Sequence, residues 1–283
     1  MMESKIKILL AGTPEFSVPV FEEVIQNFEV VGIVSQPDRP SNRGYKTTPT
    51  PVKLLAQKYE IPLYQPNKIG EIYEELSFLE FDYLLTCAFG QYIPTKVLDL
   101  PKIASINVHG SLLPKYRGAA PIQYSLYNGD KETGITLIYM TKEMDAGDMI
   151  ASAKIPILEE DTSDSLFIKM SHLAKENIVG WIKNHYDNIR NDQKQDSTQV
   201  VLSPKLLKED ALIKDTDSKE HNFNKIRAFS SNPGAYTFVN GKRLKVFYAK
   251  KELVKNAPII QCSDGSLYAT DYQFESKKRV KIA

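Results

Sequence analysis

Short runs of apolar residues alternate with amphipathic stretches over residues 1–155 of the chain. The runs are rich in β-branched residues, as buried strands are, and the stretches between them have the period of helices. This alternation predicts an α/β domain with a mainly parallel sheet. The predicted strands are 6–10, 30–35, 83–86, 105–108, 134–140 and 149–157, and the last two are placed to pair as a hairpin. The predicted helices are 19–26, 51–59, 69–79, 121–128 and 163–184.

The pattern changes after residue 188. Residues 188–199 are polar, without apolar periodicity or glycine, and this composition predicts a linker. Beyond it, short strands are predicted at 235–239, 244–248, 259–262 and 267–270. Turn pairs such as Asn240-Gly241 and Asp264-Gly265 separate them, a pattern typical of a small β-barrel.

Composition and charge narrow the function classes. The hydrophobic fraction of 42% suits a globular protein, and no apolar run is long enough to span a membrane. The N-terminal apolar stretch is too short for a signal peptide, and Cys87 and Cys262 form no CxxC motif, so we expect a cytoplasmic protein without disulfide or metal.

Residues 1–200 hold 20 basic and 26 acidic residues, whereas residues 201–283 hold 16 basic and 9 acidic ones. The basic second part favours a polyanionic partner.

Three polar side chains of the kinds that serve acyl transfer lie within residues 106–148. Asn107 and His109 are two positions apart at the end of a predicted strand, so both point to the same face of the sheet. Asp145 follows the next predicted strand, in a loop that contains Gly147. An amide can stabilise a developing oxyanion, an imidazole can move a proton, and a carboxylate can set the charge and orientation of the imidazole. This stretch predicts a catalytic site.

The residues around this site carry a family resemblance. INVHGSLLPKYRGAAPIQ, with DAGD downstream, resembles the active-site segment of the folate-dependent formyltransferases. AGTPEFS at 11–17 and QPDRPSNRGYKTTPTPVK at 36–53 resemble the methionyl-tRNA formyltransferases within that family. The resemblance covers residues 6–250, whereas residues 252–283 align poorly.

The resemblance implies a fold and a reaction. It implies a Rossmann-like catalytic domain at 1–188, a linker at 189–204, and a shortened, OB-like tRNA-binding barrel at 205–283. The implied reaction transfers a formyl group from 10-formyltetrahydrofolate to the α-amino group of initiator methionyl-tRNA, in support of translation initiation. No metal is implied, and we expect a monomer.

The resemblance also implies roles for individual residues. The catalytic residues are Asn107, His109 and Asp145. The residues that help to bind tetrahydrofolate are Ser111, Leu112, Leu113 and Pro114, whose leucines offer an apolar wall to flat rings. The tRNA-binding residues are Arg39, Arg43 and Lys46 in the 36–50 loop, with Arg43 the leading candidate, and Lys205 and Lys208 beyond the linker. Prolines stiffen that loop, and its cations suit phosphates.

The sequence leaves several alternatives open. A sugar-nucleotide N-formyltransferase has the same triad and co-substrate, although the 36–50 loop and the basic second part argue against it. A nucleic-acid-binding protein on a retired formyltransferase scaffold is disfavoured because all three catalytic residues are present. A dinucleotide-dependent dehydrogenase is disfavoured because AGTPEF lacks the three-glycine fingerprint. Whether His109 acts as an acid or only electrostatically is also open.

Overall fold

The chain forms two compact units that are interleaved along the sequence. A computed structural model describes residues 6–40 and 47–282. The first unit comprises the described residues up to Pro114, Gly134–Ala153 and Met170–Val200. The second comprises Lys115–Thr133, Lys154–Lys169 and the residues from Val201 onward. The domain boundaries at 188 and 204 stay a prediction.

The helices and strands alternate in the order expected of an α/β chain followed by a β-rich part. The strands are β1 (Lys7–Gly12), β2 (Glu29–Val34), β3 (Arg39–Pro40), β4 (Thr47–Thr48), β5 (Leu63–Tyr64), β6 (Tyr83–Cys87), β7 (Ala104–His109), β8 (Lys115–Arg117), β9 (Glu132–Tyr139), β10 (Met149–Pro156), β11 (Val201–Leu202), β12 (Ala235–Val239), β13 (Lys242–Lys250), β14 (Ile259–Cys262), β15 (Gly265–Phe274) and β16 (Val280–Lys281). The helices are α1 (Ser17–Asn27), α2 (Pro51–Lys58), α3 (Tyr73–Ser77), α4 (Thr95–Leu98), α5 (Pro121–Tyr127), α6 (Ser163–Tyr186) and α7 (Lys219–Phe229).

A seven-stranded sheet contains all six strands predicted within residues 1–157. Its strand order is β10-β9-β7-β6-β1-β2-β5. Strands β1, β2, β5, β6 and β7 are parallel, and β7 pairs with β9 in the antiparallel sense. Every residue of β6 is buried, as expected of a parallel strand covered on both faces. The mainly parallel sheet is confirmed, and β9 and β10 are neighbours as the predicted hairpin requires.

The strand order sets where a ligand can bind. Strands β2 and β5 extend the sheet on one side of β1, whereas the later strands β6 and β7 extend it on the other side. The direction in which strands are added therefore reverses between β1 and β6. In open α/β sheets, ligands bind at the carboxyl ends of the strands near such a reversal. Residues that follow β2, β6 and β7 are therefore the first candidates for a site.

The second unit contains a five-stranded antiparallel sheet with the order β12-β13-β15-β14 and with β16 beside β15. The four strands predicted beyond residue 205 are all present in it. Asn240 and Gly241 both have positive φ, 51° and 75°, as a type I′ hairpin turn requires. The prediction of a β-rich C-terminal part is confirmed.

Two local predictions are corrected. The helix expected at 69–79 is a 3₁₀ turn, Ile69–Ile72, followed by the short helix α3. Helix α7 was not predicted, because Asn222, Lys225 and Arg227 on it are polar yet buried. Their side chains donate to backbone carbonyls of their own unit, which compensates for their burial. Among residues 6–40 and 47–282, no helix is both long and apolar enough to cross a membrane.

Candidate active site

Strand β7 places Asn107 and His109 at its carboxyl end. The two residues are two positions apart on one strand, so they share a face of the sheet, as predicted. His109 is buried with 5% exposure, and Asn107 is half-buried. The register pairs Asn107 with Thr86 of β6 and His109 with Thr136 of β9. Well-packed strands on both sides fix the backbone of both residues.

Asp145 reaches the same end of the sheet from the loop between β9 and β10. Its Oδ1 lies 3.6 Å from Nδ1 of His109, and its side chain is only 14% exposed. A carboxylate at this distance can orient the imidazole and restrain its rotation. The structure therefore brings together the three residues that the sequence singled out. Asp145 faces the Nδ1 side of the imidazole ring, and Nε2 is on the other side of the ring.

Thr86 is a further candidate site residue, which the sequence did not indicate. Its Oγ1 donates a 2.7 Å hydrogen bond to Oδ1 of Asn107, and its side chain is buried. Because the carbonyl side of the carboxamide accepts this bond, the Nδ2 side is directed away from Thr86. The register between β6 and β7 is the only signal that could have found it, and a register is not readable from one strand alone.

Ser111 to Pro114, the predicted folate-binding segment, is attached to strand β9 by one hydroxyl group. Thr136 Oγ1 donates to the carbonyl of Ser111 at 2.7 Å and accepts from the amide of Leu113 at 3.2 Å. Leu113 is buried, whereas Leu112 and Pro114 are half-buried. The segment immediately follows β7, so its apolar surface begins next to His109.

A cleft of about 800 Å³ lies where β2 and β6 end. Gln36, Asp38 and Arg39 line it after β2, and Gln91 and Tyr92 line it after β6. Its volume is in the range of small-molecule sites, about 300–1,000 Å³. Since β6 and β7 are parallel neighbours, the cleft is at the same edge of the sheet as Asn107 and His109.

The start of the 36–50 loop is held by an acidic residue. Asp38 Oδ1 accepts a 2.8 Å hydrogen bond from Gln65 Nε2, and Asp38 also pairs with Lys53. The hydrogen bond from Lys53, followed by that from Gln65, lowers the pKa of Asp38. Arg39 is exposed, and its guanidinium donates to Gln36 Oε1 at 2.8 Å. Asp38 thus anchors the start of the loop, next to the exposed Arg39.

Of the other predicted tRNA-binding residues, two lie outside the described part of the chain and two lie in the second unit. Arg43 and Lys46 lie outside the described residues. Lys205 and Lys208 lie in the second unit, where both are exposed on the segment between β11 and the 3₁₀ turn Glu209–Ala211. No group of three His, Cys, Asp or Glu side chains in the described part of the chain is placed to hold a metal ion.

Family models and relatives identify the chain. The model described as "Formyl transferase" matches residues 4–182, and "Formyl transferase, C-terminal domain" matches residues 205–283. The methionyl-tRNA formyltransferase of Mycoplasmopsis pulmonis is 58% identical over 98% of this chain and 96% of its own length. The chain belongs to the methionyl-tRNA formyltransferase family. The relative from Mycoplasma mycoides, with the same name, is 41% identical over 99% of this chain and 94% of its own length.

Solved structures agree on the fold. An N-formyltransferase from Helicobacter canadensis, in complex with folinic acid and dTDP-3-aminofucose, has a TM-score of 0.72 to this chain at 20% identity. The match covers 95% of this chain and 100% of that one. At this identity the likeness concerns the fold alone. It confirms the expected formyltransferase fold.

Proposed function

We propose that the protein transfers the formyl group of 10-formyltetrahydrofolate to the α-amino group of methionyl-tRNA. Asn107, His109 and Asp145 are the catalytic residues of this proposal. The observation that carries it is their convergence at one end of the sheet, with His109 and Asp145 3.6 Å apart. Family membership, with relatives named methionyl-tRNA formyltransferase, supports this acceptor over others.

The amine nucleophile needs little activation. A free α-amino group has a pKa of about 7.7–8.0, and esterification of the carboxyl group lowers it. Much of the amine is therefore neutral near pH 7, and the site needs no strong base. This agrees with a centre built from an amide, an imidazole and a carboxylate.

Asn107 is the oxyanion donor in this mechanism. As the amine attacks, the formyl oxygen gains negative charge, and Nδ2 of Asn107 donates a hydrogen bond to it. Thr86 occupies Oδ1 of the same carboxamide, so the amide need not reorganise during the reaction. Loss of one such donor costs about 2.7–4 kcal/mol of barrier.

His109 moves the proton that the reaction releases. The amine loses a proton as the new C–N bond forms, and N10 of the folate needs one as the old C–N bond breaks. A buried imidazole next to both groups can transfer that proton, while Asp145 on Nδ1 holds the ring so that Nε2 faces the reacting atoms. Such proton transfer contributes about 10²–10⁴-fold in rate.

The residues of the first unit fit the donor substrate. Leu112 and Pro114 expose apolar surface directly after the strand that carries His109. A flat heterocycle can bury its face there while loop backbone groups meet its polar edge. The cleft beside Gln91 has room for a molecule of this size.

Cations in both units suit the tRNA acceptor. Arg39 is exposed in the 36–50 loop, whose sequence also contains Arg43 and Lys46. Lys205 and Lys208 are exposed in the second unit. The excess of basic residues in 201–283 adds a favourable field for a polyanion. We assign phosphate contacts to these five residues.

The experiment compares acceptors. Purified protein and 10-formyltetrahydrofolate are incubated with charged initiator methionyl-tRNA or with amino-sugar nucleotides. The proposal predicts formyl transfer to the tRNA and none to the sugars. Transfer to the sugars alone would replace the proposed acceptor with an amino sugar, and binding of tRNA without transfer to either would refute the enzymatic proposal.

A further inference from the structure

The residues after α6 contribute to the site, although their composition is that of a linker. We call residues 187–200 the α6 tail segment. Its residues 187–199 are exposed except for Gln195, which is half-buried. The partial burial of this polar side chain among exposed residues indicates a specific contact.

Gln195 contacts the loop that carries Asp145. Its Nε2 donates hydrogen bonds to the carbonyl of Asp145 at 2.8 Å and to the carbonyl of Gly147 at 2.7 Å. Both protons of the carboxamide are thus used on the two carbonyls that flank Ala146. One side chain therefore holds the backbone of the loop on both sides of Ala146.

The loop needs such a restraint because its backbone is unusual. Asp145 has φ of 54°, in the left-handed region that is uncommon for residues other than glycine. Gly147 lies so close to Tyr139 that an added Cβ would be 1.9 Å from the Tyr139 carbonyl oxygen. A conformation of this kind persists only where surrounding contacts determine it.

The α6 tail segment is itself firmly held. The backbones of Gln193 and Met149 exchange two hydrogen bonds of 2.8 and 2.9 Å. Upstream, the Arg190 guanidinium lies 2.7 Å from Nε2 of the buried His185 and donates to the Tyr139 hydroxyl at 3.1 Å. The backbone that carries Gln195 is therefore attached to the first unit by contacts of Arg190 and Gln193.

We propose that Gln195 is a positioning residue that sets the Asp145 carboxylate against His109. The proposal rests on the proposed catalytic role of Asp145. The 3.6 Å between Asp145 Oδ1 and His109 Nδ1 is longer than an ordinary hydrogen bond, so the pair depends on the loop to approach closely during the reaction. Without the two bonds from Gln195, the loop relaxes from its left-handed turn and the carboxylate moves away from the imidazole.

The first test is Gln195→Glu, which keeps the shape of the side chain and removes both N–H donors. We expect kcat for formyl transfer to fall about 10- to 100-fold, the order of loss caused by small misplacements of a catalytic group. KM for charged tRNA should stay within about 2-fold, since Gln195 is not assigned to the acceptor site. Gln193→Glu, the same change two positions away, should leave both constants unchanged because Gln193 holds the segment through its backbone. Equal kcat in the two variants would overturn the proposal.

The second test is a double-mutant cycle with Asp145→Asn. If Gln195 acts through Asp145, then Gln195→Glu costs less than about 2-fold in the Asp145→Asn background, because coupled residues are not additive. A full additional loss in that background would show a structural role instead and overturn the proposal. Full activity of Asp145→Asn alone would refute the proposed catalytic role of Asp145, which is a distinct failure. Should Gln195→Glu not fold, Gln195→Met serves in both tests, because it lacks the donors and the charge at similar length.

Discussion

Thr86 and Asn107, neighbours in register on parallel strands β6 and β7, are joined by a 2.7 Å hydrogen bond in which the threonine hydroxyl donates to Asn107 Oδ1. The bond distinguishes Oδ1 from Nδ2 of the Asn107 carboxamide, two atoms that are nearly equal in shape. Because Oδ1 accepts from Thr86, Nδ2 is the atom that we propose to donate to the substrate. A buried hydroxyl on one strand thus sets the orientation of the carboxamide that we propose as the oxyanion donor on the next strand.

Thr86→Val should lower kcat without changing affinity for folate. Valine keeps the shape but removes the hydroxyl, so the carboxamide can rotate and present its oxygen to the formyl oxygen. We expect a loss of at least about 10-fold, up to the 10²–10³-fold that follows loss of an oxyanion donor. Single-turnover formyl transfer and equilibrium folate binding are the measurements. Thr86→Ser retains the hydroxyl and should be close to wild type; equal rates for the valine and serine variants would refute the orientation argument.

Gly147→Ala should destabilise the loop that carries Asp145. The added methyl group would meet the Tyr139 carbonyl, a backbone atom that cannot rotate away. Overpacking of this kind costs about 1–3 kcal/mol of unfolding free energy, and here it should also lower kcat. Chemical denaturation and steady-state kinetics measure both effects.

Gly180→Ala is the matched control for this substitution. Gly180 lies in α6, and apart from its chain neighbours and the nearby helix backbone no described atom is within 4 Å of the position of an added Cβ. Alanine in a helix interior is favoured over glycine by about 1 kcal/mol, so this variant should gain stability and keep its activity. If both alanine variants behaved alike, the close approach at Gly147 would not matter.

Stability should depend on pH through His185. Burial lowers the pKa of this imidazole, and the charge of Arg190 lowers it further, although Asp192 acts in the opposite direction. The folded state therefore favours the neutral ring, while the unfolded chain takes up a proton as the pH falls below about 6.5. The free energy of unfolding should thus fall as the pH decreases from about 6.5 towards the lowered pKa, and then level off.

His185→Gln should remove this component of the pH dependence. Denaturant unfolding between about pH 7 and pH 5 measures the slope for both proteins. The variant will be less stable overall, since His185 Nδ1 bonds to the Tyr83 hydroxyl at 2.8 Å. The difference in slope carries the test, so an unchanged slope would contradict the assignment.

Arg39→Ala and Arg43→Ala should impair formylation of charged tRNA far more than folate binding. A lost phosphate contact also reduces the slope of log affinity against log salt by about one. Binding of tRNA at several salt concentrations and folate titration measure these effects. Lys102→Ala is the control, because Lys102 is an exposed cation that precedes β7 and pairs with Glu80. Equal losses of tRNA and folate binding would remove the loop from the acceptor site.

The sequence predicted the central sheet and the proximity of Asn107, His109 and Asp145 from patterns within short stretches of chain. Alternating apolar runs reveal buried strands without knowledge of their partners. Asn107 and His109 share a face because strands have a period of two, and Asp145 was expected near them because its loop follows the next predicted strand along the chain. These inferences need no tertiary information.

The sequence could not predict contacts that depend on what lies opposite. Thr86 looks like an ordinary strand residue until its register with Asn107 is known. Gln195 belongs to a polar run whose composition indicates a solvated linker, and only the fold brings it to the Asp145 carbonyl. Helix α7 escaped prediction because buried Asn222 and Arg227 interrupt its apolar face. In each case the missing information is the partner of a polar group.

The most direct test of the account is single-turnover formyl transfer to charged initiator methionyl-tRNA by the His109→Ala variant, with tRNA and folate binding measured on the same protein. The account predicts a rate at least about 10²-fold below wild type, while both affinities are retained. A rate within a few-fold of wild type, with intact binding, would contradict the placement of the catalytic centre at Asn107, His109 and Asp145.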